Sequence, residues 1–223
     1  MEQPVSPAQK AGRLRRFFTA AFGLTICGVG TYLQMQAAIG MFPWNSFKQG
    51  LSIAFPISFG AASILVSLVI LLLDVLLGEP IGVGTILDAF LMGIVVDICT
   101  WLNFVPLQQS FVPQVAMLLF GLMVMNVGQV LYMGAGLSCG PTDTFMVALG
   151  KRVSRVPIGL VSILISAVVL AIGIMLGSPF GVGTLISLFG SGTLMEFVFR
   201  LFRFDPRDVE QESLIQTIKA LLP

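Results

Sequence analysis

Apolar runs of about twenty residues alternate with short Gly/Pro-rich breaks along most of the chain. Phe17 to Ala38, Ile57 to Leu77, Gly84 to Asn103, Phe111 to Gly134, Pro157 to Leu176 and Gly183 to Phe202 are each long enough to cross a bilayer as a helix, which takes about 20 residues at about 1.5 Å each. They predict six membrane spans. Two shorter stretches, Ile39 to Phe55 and Ser138 to Gly150, carry Pro43-Trp44-Asn45 and Pro141-Thr142-Asp143. Proline suits a first helical position, but about 12 residues of helix after it cannot span. Both stretches read as half-helices, interfacial or re-entrant.

The breaks repeat. Gly78-Glu79-Pro80-Ile81-Gly82-Val83-Gly84-Thr85 returns as Gly177-Ser178-Pro179-Phe180-Gly181-Val182-Gly183-Thr184. Around these copies Gly60, Ser63, Ser67, Phe90, Gly93 and Asp97 recur as Gly159, Ser162, Ser166, Phe189, Gly192 and Glu196. Further upstream Gly23, Gly30, Pro43 and Phe47 recur as Gly121, Gly128, Pro141 and Phe145. A Gly/Pro/acid skeleton in register over such a length predicts a duplicated unit. Three spans per copy is an odd number, so the second copy would enter the membrane upside down relative to the first. The predicted fold is therefore all-α: a polytopic membrane helix bundle of six spanning helices plus two short half-helices, in two inverted three-span repeats. Its segments are a basic N-terminal stretch (1–16), membrane repeat 1 (17–108), membrane repeat 2 (109–203) and an amphipathic tail (204–223). If the half-helices crossed instead, there would be eight spans, and the repeats would be parallel.

Composition agrees with a membrane protein. Of 223 residues, 56% are hydrophobic and 10% charged, with a mean hydropathy of +0.97, far above that of an ordinary soluble domain. A signal peptide has a shorter apolar core than Phe17 to Ala38, so that run reads as a permanent span. Arg13, Arg15 and Arg16, then Lys151, Arg152 and Arg155, then Arg200, Arg203 and Arg207 fall on one side of the six-span arrangement. The excess of basic residues makes that side cytoplasmic, with both termini inside. Lys48 is the exception, assigned to the outside.

The chain has no histidine, and its three cysteines, Cys27, Cys99 and Cys139, stand apart. This removes a disulfide framework, histidine-based catalysis and most zinc chemistry. The two Gly-x-Gly-Thr turns lack the lysine and strand context of a phosphate loop. No catalytic residue, metal site or cofactor is assigned, and nothing points to nucleic acid.

Ionisable groups within spans are costly, so each calls for a reason. Asp97 and Glu196 are repeat equivalents that either line a central cavity or sit at the interface, Glu196 paired with Arg200 four residues on. Asp88 reads as a helix-start carboxylate and Asp74 as the partner of an arginine. The half-helix starts make the stronger binding locus, because free backbone N–H groups converge there. Trp44, Asn45, Thr142 and Asp143 stand at these starts, with Tyr32, Gln34 and Gln36 before the first and Asn126, Gln129 and Tyr132 before the second to supply hydrogen bonds. The alternative is that the starts cap surface turns.

At Gly30, Gly40, Pro43-Trp44, Gly50, the Gly60-to-Ser67 stretch, Leu73-Asp74, Gly78-Glu79 and Gly82-Val83-Gly84-Thr85, the chain resembles the YczE-like branch of the YczE/YyaS/YitT bacterial membrane proteins, over about residues 20 to 200. The resemblance implies a small multi-pass protein of the bacterial cytoplasmic (inner) membrane and carries over no residue role. Cys139-Gly140-Pro141-Thr142-Asp143 departs from the Gly-Pro-Arg-Asp expected there.

The functional expectation is a small-solute transporter or substrate-binding membrane component with its site between the repeats. A substrate-capture subunit of an ATP-driven vitamin-uptake complex is a variant. The alternative class is a non-transporting assembly or regulatory factor holding a partner protein. Expected partners are the lipid bilayer and a small molecule, with a homodimer or a partner membrane protein left open.

Overall fold

The computed structural model describes residues 7–152 and 158–205 together with positions 209, 212 and 214. Eight helices are described: α1 (Pro7–Ala37), α2 (Pro43–Ala54), α3 (Phe59–Leu76), α4 (Val83–Leu102), α5 (Phe111–Gly134), α6 (Pro141–Arg152), α7 (Ile158–Met175) and α8 (Val182–Leu201). Five of them, α1, α3, α4, α5 and α8, are long and apolar enough to cross a membrane. Helix α7 has 18 residues and is apolar, though the part with described side chains, Val161–Met175, is shorter than a full crossing. The predicted half-helices are present as α2 and α6, each of 12 residues with its proline at the start. The predicted amphipathic tail lies almost wholly outside the described residues.

The bundle has the solvation pattern of a protein in lipid. Leu72, Leu76, Phe120, Val168 and Phe189 are exposed, whereas Gln34, Asn45, Lys48, Asp74 and Asn126 are buried. Apolar side chains can face hydrocarbon at no cost, but polar ones must find company inside.

The repeated Gly-Pro turns act as helix stops. At the end of α3, Gly78 takes φ +73° and the Glu79 N–H donates to Asp74 O at 3.0 Å. At the end of α7, Gly177 takes φ +98° and the Ser178 N–H donates to Gly173 O, also at 3.0 Å. Both are left-handed terminations that satisfy carbonyls otherwise orphaned. The same pairing extends through the chain. Among the described residues Ala38 and Gly136, and Gly40 and Ser138, are further positive-φ pairs at matching places in the two halves, whereas Asn103 and Arg203 follow α4 and α8 one place out of register.

The Gly-x-Gly-Thr starts make the next level of structure. The Gly84 N–H donates to Leu137 O at 2.7 Å and the Gly183 N–H to Ile39 O at 2.9 Å. Each turn thus docks on the loop before the half-helix of the opposite half. Thr85 Oγ1 adds a bond to Cys139 O at 2.8 Å.

Helices α1 and α5 form the longest seam. A Cβ added at Gly23 would lie 2.7 Å from Gly128 O, and one at Gly30 would lie 2.7 Å from Gly121 O. Successive contacts run up one helix and down the other, so α1 and α5 are antiparallel, with their backbones closer than any side chain allows. Around this seam α2 packs on α7 and α6 on α3, while α1 packs on α4 and α5 on α8.

Candidate functional site

The two half-helices begin inside the bundle and leave it at opposite ends. The far end of α2 lies against the end of α7, where a Cβ at Gly50 would meet Gly173 O at 2.4 Å. The far end of α6 lies against the end of α3, where Arg152 Nη2 donates to Leu77 O and Nη1 stands 3.9 Å from Glu79 Oε1. Their starts converge on a cavity of about 80 Å³.

Helical spacing explains which side chains reach it. On α2, Trp44, Asn45 and Lys48 share the face that turns inward, and on α4 Asp88 and Met92 stand one turn apart. Met125, Gln129 and Tyr132 follow one stripe of α5, and Thr142 and Asp143 come from the first turn of α6. Phe42 closes the α2 side.

The charges in this cavity are unusual for a membrane interior. Lys48 is only 6% exposed, and its ammonium lies within electrostatic reach of both Asp88 and Asp143. The two carboxylates meet over Gly140, where an added Cβ would lie 2.6 Å from Asp88 Oδ2 and 3.7 Å from Asp143 Oδ2. A side chain at position 140 would displace the Asp88 carboxylate. With both carboxylates ionised, the one ammonium leaves the group unbalanced by one negative charge.

Three side chains that line the cavity carry a buried polar atom without a hydrogen-bond partner: Trp44 Nε1, Gln129 Oε1 and Tyr132 Oη. Trp44 and Tyr132 are each 4% exposed, so these atoms cannot turn to bulk water. Leaving such a group unpaired costs about 1–3 kcal/mol. The cavity is therefore chemically unfinished. Among the described residues no cluster of three His, Cys, Asp or Glu side chains stands ready for a metal ion.

Of the side chains predicted from sequence, Trp44, Asn45, Gln129, Tyr132, Thr142 and Asp143 are brought together here. Gln34 lies behind the wall, its Nε2 facing the Met125 sulfur at 3.4 Å. Asp97 is elsewhere. Its Oδ2 accepts from Ser58 Oγ at 2.5 Å and its Oδ1 from the Gly60 N–H at 2.7 Å, so it covers the start of α3. Glu196 is exposed and accepts from Arg200 at 2.5 Å.

Lys48 and Asp88 complete the site. Lys48 was assigned to the outside because basic residues mark the aqueous flanks, and burial beside two carboxylates overrides that pattern. Asp88 does not cap α4: it lies more than a turn beyond Val83, with its carboxylate in the cavity. The signal for Lys48 was its place four residues after Trp44, on the same helical face. Asp74, expected beside an arginine, is fully buried with both carboxylate oxygens lacking a hydrogen-bond partner.

A second depression of about 260 Å³ adjoins the cavity. Asp143 lines both, and Glu79, Ser138 and Cys139 form part of the outer wall. Asp143 thus stands between the enclosed space and the end of the bundle where Arg16 binds the α5 terminus through Ala135 O and Gly136 O. Glu212 joins that end, with its carboxylate 3.1 Å from Arg16 and its N–H on Gly136 O.

A multi-helix membrane protein with an enclosed polar centre is thereby defined. A sequence profile described as a family of unknown function, DUF6198, matches residues 14–200, and the chain belongs to that family. It is similar to an uncharacterized protein of Haemophilus influenzae, at 27% identity over 180 residues, covering 81% of each chain. It is also similar to two Bacillus subtilis proteins. The uncharacterized protein YyaS is 25% identical over 81% of this chain and 90% of its own. The uncharacterized membrane protein YczE is 27% identical over 78% and 81% respectively. The resemblance to the YczE-like group read from the glycine and turn motifs agrees with these relatives. No solved structure matches.

Proposed function

We propose that this protein is a small-solute carrier built from two inverted repeats, with its binding site in the central cavity. The observation that carries the reading is the meeting of α2 and α6. Two broken helices enter from opposite ends and point their free N–H groups at one closed polar space. Discontinuous helices around a site between repeats are a recurrent construction for alternating access.

The exchange of contacts supports the inversion. Gly23 meets Gly128 while their equivalents Gly121 and Gly30 meet each other. Gly84 binds Leu137 while Gly183 binds Ile39. A two-fold relation between halves produces such reciprocal pairs, as in an isologous interface. In this reading α7 is the sixth span, and the end bearing Arg16 and Arg152 faces the cytoplasm of a bacterial inner membrane. The protein binds and moves its solute without covalent chemistry.

Uptake into proteoliposomes tests the carrier role. Purified protein should accumulate or exchange at least one solute from a labelled panel of small amines, amino acids and organic acids. The substitution Asp143→Asn should remove that flux. A folded, reconstituted protein that moves none of the panel would overturn the reading.

A further inference from the structure

We infer that the central cavity takes a small organic monocation carrying one hydrogen-bond acceptor, of the type of a protonated amino alcohol or amino amide. This rests on the reading of the cavity as the solute site and narrows it to a chemical class.

Charge gives the first restriction. With Asp88 and Asp143 both ionised, Lys48 offsets one carboxylate, and the described residues lining the cavity supply no second cation for the other. A buried charge is retained at acceptable cost only when an opposite charge and hydrogen bonds accompany it. An ammonium supplies both. An anionic solute would add to the imbalance.

The unpartnered atoms give the second. Gln129 Oε1 can only accept and Trp44 Nε1–H can only donate, while Tyr132 Oη does either. A bare cation satisfies the amide oxygen and leaves the indole N–H unpaired. A ligand with an N–H donor at one end and a hydroxyl or carbonyl oxygen at the other satisfies both.

Size and walls give the third. About 80 Å³ holds roughly three to five non-hydrogen atoms, taking about 15–30 Å³ for each water-sized group. Phe42, Trp44 and Tyr132 line the same space, and aromatic faces favour organic ammonium ions over strongly hydrated metal ions. Ethanolamine and glycinamide have the required size and both functional groups.

The test is thermal unfolding of the purified full-length protein in detergent with 10-millimolar-scale additions of probes at constant ionic strength. Ethanolamine hydrochloride and glycinamide hydrochloride should raise the unfolding midpoint by about 3 °C or more. Sodium acetate, acetamide, ethylene glycol and potassium chloride should each leave it unchanged. Asp88→Asn and Asp143→Asn should abolish the shift, whereas Asp97→Asn, at the start of α3, should retain it. Equal stabilisation by acetate, acetamide or potassium, or no response to either amine, would overturn the assignment using the unsubstituted protein alone. Loss of the shift in Asp97→Asn would also overturn it by moving the site. Amine binding without flux in proteoliposomes would remove the carrier role and leave this assignment standing. Flux of an anion with no amine response would do the reverse.

Discussion

Helices α3 and α4 pack tightly together, whereas their sequence counterparts α7 and α8 make few contacts among the described residues. In the first pair a Cβ on Gly93 would lie 2.7 Å from Gly60 O, so the backbones touch. In the second pair the equivalent Gly192 has no described neighbour within 4 Å of an added Cβ. The acids differ in the same way. Asp97 reaches across to Ser58 and Gly60 on α3, while Glu196 is taken by Arg200 on its own helix. In the sequence proline stands at 157 where Ser58 stands in the first half, and proline has no hydroxyl to offer an acid. Equivalent sequences thus make equivalent helices whose described contacts with one another differ.

The comparison can be broken by crowding each pair. Gly93→Leu should be the most damaging change, costing about 3 kcal/mol or more, because the added side chain meets backbone that cannot yield. Gly192→Leu should fold as the unsubstituted protein does. Fluorescence-detected size-exclusion after heating measures both, and similar losses would remove the distinction between sealed and open pairs.

The acids sharpen it at smaller magnitude. Asp97→Asn should lower stability by about 1.5–3 kcal/mol through weakened charged hydrogen bonds to the α3 start. Glu196→Gln should change it by no more than about 0.5 kcal/mol, as expected for an exposed ion pair within one helix. If the two substitutions cost the same, Asp97 contributes no inter-helix closure.

A third difference between the halves concerns access rather than stability. Cys139, half-buried beside the depression that Asp143 shares with the cavity, should react with a small membrane-impermeant maleimide from the end of the bundle where Arg16 lies. Cys27 and Cys99, both buried, should not react until the protein unfolds. Mass spectrometry of labelled inside-out and right-side-out vesicles reads this directly, and labelling from the opposite end would reverse the assigned orientation. Gly40→Ser should be mildly to moderately destabilising, since its Cβ would fall 2.1 Å from Thr184 Oγ1 at a backbone φ of +93°. Ser138 already occupies the matching position, so Ser138→Gly should cost little. Chemical denaturation in mixed micelles compares the two.

Much of this organisation was legible in the chain. Run length predicted the long helices, because the hydrocarbon thickness sets a minimum number of residues. Pro43 and Pro141 marked the half-helix starts, and the recurring Gly-Pro turns marked left-handed helix stops now seen at Gly78 and Gly177. The half-helix starts also pointed to Trp44, Asn45, Thr142 and Asp143, which do share the cavity. Lys48 and Asp88 escaped because each has a common explanation when viewed alone, an aqueous flank for one and a helix start for the other. Asp97 was misleading for a related reason: an acid within a span looks functional until its partner on another helix is known.

Local chemistry therefore determined where helices begin, end and break, since those events depend on residues a few positions apart. Which surfaces meet was decided only in three dimensions. The approach of Lys48 to Asp88 and Asp143 around one cavity, the contact of Asp97 with α3 and the lack of a described neighbour beside Gly192 join or separate residues dozens of positions apart. No periodicity along one helix records the distance to another, and closure of a polar cavity depends on that distance.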